Sequence, residues 1–133
     1  MKKIVSIKIK EQEVVLDEYT SSYISNSLNL LFLNENISIK KNTIVLQDDL
    51  IFKLRNTILN CLTTLVENLH IEPSIKEIQK NPTRFEKIVL NKKVYKVNYR
   101  MSEVDRSCYV LYCLLLSLEN ANNNHEYVLI NLD

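Results

Sequence analysis

Val5, Ile7 and Ile9 alternate with Ser6, Lys8 and Lys10. An apolar residue at every second position predicts a half-buried strand. Glu11-Gln12 predicts a turn, and Val14, Val15 and Leu16 predict a second strand. Residues 20–29 are polar with Tyr23, Ile24 and Leu28 inserted, which reads as a loop or a short helix. Further on, the apolar segments 30–33, 37–39 and 43–46 are separated by turns at 34–36 and 40–42. That block predicts a meander of short strands.

The period then changes. Ile51, Leu54, Ile58, Cys61, Leu65 and Leu69 recur at gaps of three and four, the stripe of an amphipathic helix. Asp48 is placed to cap it, with Asp49 in its first turn, and His70 falls where a cation suits the helix end. Pro73 stops the helix. Ser74 and Glu77 have capping-box spacing, which predicts a short helix from Ile75 to about Lys80, ended by Pro82. Residues 85–90 and 94–100 read as two strands around a turn at 91–93. Ser102 and Asp105 start another helix by their capping pattern, and Val104, Cys108, Leu111, Leu115 and Leu118 keep helical spacing. Val110, Tyr112, Leu114 and Leu116 make that helix apolar almost all round, the mark of burial on more than one side. Residues 119–125 read as an Asn-rich turn and 127–132 as a last strand. The expected fold is α+β in one domain, 1–133. A largely antiparallel sheet of short strands packs on two main helices, about 49–70 and 103–119, and one short helix.

Composition narrows the function classes. With 133 residues the chain has the size of one domain. Its net charge of +1 gives no long-range steering toward nucleic acid or an anionic membrane. The longest apolar run, 109–116, is far short of the ~20 residues a membrane span needs, and the Lys-rich start lacks the apolar region of a signal peptide. Three cysteines, Cys61, Cys108 and Cys113, sit in apolar segments and read as small core residues in a reducing, cytoplasmic setting. There is no glycine. Phosphate-cradling loops, dinucleotide fingerprints and nucleophile elbows all need it, so the expectation is no cofactor. The turns must use other residues, and sixteen asparagines are available.

Candidate chemistry follows the same line. His70 and His125 are isolated, and no zinc-type spacing exists, so no metal is expected. Cys108 belongs to a core stripe and makes a poor nucleophile. Asp48-Asp49 is explained as a helix start. On a strand Asp17 and Glu18 point to opposite faces, which disfavours a shared catalytic site. The segment 92–100 interleaves cations with tyrosines. On a strand Lys92, Lys96 and Arg100 take one face and Tyr95, Val97 and Tyr99 the other, with Lys93, so rings and phosphate-binding cations diverge. Nucleic-acid binding is therefore disfavoured.

What fits is a non-enzymatic module acting through its surface. The expectation is a protein partner, as for a bacterial immunity or antitoxin-type inhibitor of a toxin domain. Local acidic clusters would then supply the steering that the net charge does not. The candidate partner-binding residues are Asp17, Glu18, Tyr19, Tyr23, Lys92, Lys96 and Arg100, chosen for charge or aromatic character at surface positions. The competing expectation is a self-associating structural or regulatory protein, with helix 104–118 as a homodimer interface.

Overall fold

The computed structural model describes residues 4–39 and 41–132. It is an α+β fold with two antiparallel sheets. Strands β1 (Val5–Ile9), β2 (Gln12–Val15), β3 (Thr43–Leu46) and β6 (Val128–Leu132) form a sheet in the order β2-β1-β6-β3. Strands β4 (Glu86–Leu90) and β5 (Lys93–Val97) form a separate hairpin. The helices are α1 (Glu18–Asn34), α2 (Asp49–Leu69), α3 (Ile75–Lys80) and α4 (Glu103–Asn123).

Alternation along the strands decides which face is buried. Val5 and Ile7 of β1, Ile44 and Leu46 of β3, and Val128 and Ile130 of β6 lie on one face and are all buried. They join a single core with the stripes of α1, α2 and α4. Helix α4 packs against α2, β1 and the β4–β5 hairpin. That packing buries Cys108, Leu111, Leu114, Leu115 and Leu118 within the chain, while Leu116 on the same helix stays 48% exposed.

Helix α1 corrects the sequence reading. Residues 20–29, read as a loop or a short helix, and 30–33, read as a strand, form one helix of 17 residues, Glu18–Asn34. Asp17 caps it, accepting a hydrogen bond from Thr20 N–H at 2.8 Å. Ile24, Leu28 and Phe32 bury one stripe, extended toward the N-terminus by Thr20 and Ser21. Those two polar residues are paid for by partners: Thr20 Oγ1 and Ser107 Oγ are 2.6 Å apart, and Ser21 Oγ donates to Leu16 O while accepting from Val5 N–H. The turn expected at 34–36 is the end of this helix. Asn36 has φ 53° and Ile37 N–H bonds back to Phe32 O, the arrangement that normally takes glycine. His125 at φ 55° ends α4 in the same way, with Glu126 N–H on Ala121 O. Helix α4 therefore runs to Asn123 rather than 119, through residues expected to turn.

Eight described residues have positive φ. Three are Asn, and the others are Lys10, Lys41, Lys92, Asp48 and His125. Lysine thus shares the turn positions with asparagine. Asp48 (φ 49°) starts α2 but makes no side-chain cap bond, so its expected capping role falls away. The capping box of α3 is formed by Ser74 and Glu77 as the spacing predicts.

Candidate functional site

The first turns of α1 and α4 meet at an open cleft of about 580 Å³, lined by Glu18, Tyr19, Ser22, Tyr23 and Glu103. The α1 residues fall at i, i+1, i+4 and i+5, one face of a helix. The opposite face is the one buried through Thr20, Ser21 and Ile24. The Thr20–Ser107 hydroxyl pair joins the same two helix starts from beneath. The cleft carries two carboxylates and two phenol rings. Tyr23 is half-buried, and burial pushes its hydroxyl above the usual tyrosine range, with Cys61, Cys108 and Tyr19 adding to the effect. It therefore stays a neutral donor at neutral pH. Carboxylates beside aromatic faces form a receptor for an organic cation such as a Lys or Arg side chain.

A second polar group is closed. The His70 side chain is 2% exposed. Its Nδ1 lies 2.7 Å from Asp105 Oδ1 and its Nε2 3.0 Å from Glu72 Oε2. Asp105 Oδ2 also accepts from Asn98 N–H, and Glu72 Oε1 from Lys96 N–H, both at 2.8 Å. His70 is thus not isolated, as the sequence suggests, but links the end of α2 to α4 and β5. The two carboxylates sit on opposite ring nitrogens, so they do not converge on a common point. Among the described residues no group of three or more His, Cys, Asp or Glu is arranged to hold a metal ion.

The cysteines divide by position. Cys108 is fully buried, and burial, with Asp105 adding, pushes its thiol up to about 12. It is a core residue and a poor nucleophile at neutral pH. Cys61 is buried too, but Cys113 is exposed, against the expectation that all three pack inside.

Of the residues singled out from sequence, Glu18, Tyr19 and Tyr23 come together in the cleft. Asp17 is the cap just before it, and Asp17 and Glu18 belong to a helix start rather than a strand. Lys92, Lys96 and Arg100 lie elsewhere, on the β4–β5 hairpin and the loop after it. Lys92 is in the hairpin turn at φ 67°. Lys93 Nζ stands 5.0 Å from the centre of the Tyr95 ring. Arg100 lies over the Tyr99 ring at 5.6 Å, which departs from the expected separation of cation and ring because the strand ends at Val97. Tyr99 is also packed against Tyr109, with centroids 5.2 Å apart.

Sequence reasoning missed Ser22 and Glu103. Glu103 carries a visible signal, an acid in the first turn of a helix. Its approach to Glu18 depends on how α1 docks on α4, which no local pattern encodes. Among the described residues no helix is long and apolar enough to cross a membrane. Comparison with protein-family models, with curated proteins and with solved structures finds no match to this chain.

Proposed function

We propose that this chain is a non-enzymatic protein-binding module, an immunity or antitoxin-type inhibitor that covers a basic surface of a toxin domain. The observation that carries the reading is the joining of Glu18 and Glu103 with Tyr19 and Tyr23 around one open cleft. A cation from a partner entering there gains charge-assisted hydrogen bonds and ring contacts together. Tyrosine also suits an interface, giving large contact area at small entropy cost. The near-neutral net charge does not oppose this, because the acids are grouped. Glu11, Glu13, Asp17 and Glu18 lie within one stretch, and Glu103 is brought beside it.

The test is capture from native cells with the wild-type chain, the double variant Glu18→Lys/Glu103→Lys, and a control, Lys92→Glu/Lys96→Glu. One stoichiometric protein should be recovered with the wild type and the control, and lost with the cleft variant. Recovery of RNA without protein, or equal recovery with all three chains, contradicts the proposal.

A further inference from the structure

Strand β2 is the outer strand of its sheet, and all four of its residues are exposed. Its ladder with β1 runs Ile9↔Gln12, Lys8↔Glu13, Ile7↔Val14 and Ser6↔Val15, and Leu16 N–H bonds to Val5 O at 2.9 Å. Bonded pairs alternate in an antiparallel ladder. Gln12 and Val14 therefore turn their backbone groups toward β1, and Glu13 and Val15 turn theirs outward. Among the described residues no strand pairs with that outer edge.

Beneath the same strand the helical layer stops short. Val14 points to the core side yet is 38% exposed. It lines a groove of about 380 Å³ with Ile9, Lys10 and Gln12 on the strand side and Ser117, Asn120 and Glu126 on the other. An open edge above a strand–helix groove is the geometry that takes an added strand, with alternate side chains entering the groove.

Charge selects the occupant. Glu11, Glu13, Asp17 and Glu18 all lie in or beside β2. Of the nearby cations, Lys10 Nζ is 3.1 Å from Glu126 Oε1, and Lys8 is the ladder neighbour of Glu13 on β1. A second copy pairing antiparallel sets Glu13 against itself when centred on Glu13 and Glu13 against Asp17 when centred on Val15, whereas centred on Val14 it sets Glu11 against Asp17 but Lys10 against Glu18. A basic strand meets none of these repulsions. We propose that the β2 edge accepts an extended basic segment of the protein partner as a fifth strand, its apolar side chains in the groove and its cations beside Glu13. This rests on the partner-binding reading above and adds a second contact to the cleft.

The probe is a blocked peptide of alternating Lys and Val. Its control is the same peptide with alternate backbone nitrogens methylated, which keeps the charge and removes the ladder donors. The unmodified peptide should bind about tenfold tighter and slow hydrogen exchange at the Glu13 and Val15 amides. Val15→Pro removes one outward N–H without touching the β1 ladder, a substitution edge strands tolerate, and it should erase the difference between the peptides. Equal binding of both peptides to the wild type, or unchanged exchange at Glu13 and Val15, overturns the inference, and neither result depends on a variant folding. With the captured partner the two readings separate. If Val15→Pro keeps binding and Glu18→Lys/Glu103→Lys loses it, the β2 edge is refuted and the cleft stands. If the reverse holds, the cleft is refuted and the edge stands.

Discussion

Thr20 and Ser107 are both fully buried, and each hydroxyl has the other as its partner at 2.6 Å. Removing one leaves the other desolvated and unpaired. Ser107→Ala should therefore cost about 1–3 kcal/mol in urea denaturation, and adding Thr20→Val should recover most of it, because removing both partners is nearly neutral. A double-mutant cycle reads the coupling directly. The same pair explains why α1 was hidden in the sequence. Its stripe starts with Thr20 and Ser21, whose burial is made possible by Leu16 close by and by Val5 and Ser107 farther along the chain. A polarity pattern has no access to those partners. Cysteine burial was legible where a residue sat on the helical stripe, as Cys108 does, and not for Cys113 beside it. With thiol reagents at neutral pH, Cys113 should react first and Cys108 only on unfolding. The folded Cys108 thiol lies near 12 against an ordinary 9.0, so the unfolded chain ionises first. Stability should fall as pH rises through that window, and Cys108→Ala should melt with a shallower dependence over it.

The helices with long unbroken stripes were legible element by element: α2 ends within one residue of its expected limit, and α3 matches its capping box. Strand β3 follows its β-branched run. The two misread helix ends share one cause. Helix ends at Asn36 and His125 carry no glycine, so the chain reads as turning before or after it does. The placement of the β4–β5 hairpin was also invisible, since its ties to the rest are side-chain bonds across distant segments. His70 bridges Asp105 and Glu72, and these accept from the backbone of Asn98 and Lys96. His70→Ala should cost about 1–3 kcal/mol, the order expected when a buried polar group loses its hydrogen-bond partner. Hydrogen exchange should speed up first in the hairpin around Lys96 and Asn98, while amides of β1 and β6 stay protected. Uniform acceleration across both sheets would contradict that division.

For the whole molecule, a net charge of +1 conceals segregation. Acids gather around β2 and the start of α1, whereas Arg84, Lys87, Lys92, Lys93, Lys96 and Arg100 gather on and around the hairpin. Composition averages these and suggests no partner, whereas the fold collects Glu18 and Glu103 with two tyrosines at a single opening. Three of the cleft residues could be picked from sequence as exposed charge or aromatic character, but their convergence needed the docking of α1. The most direct measurement is calorimetric titration of the captured partner into the purified chain and into Glu18→Lys/Glu103→Lys. The account predicts one-to-one binding that the double variant weakens at least about tenfold, roughly 1.4 kcal/mol, and that added salt weakens in the wild type. Affinity indifferent to both the charge reversal and the salt would contradict it.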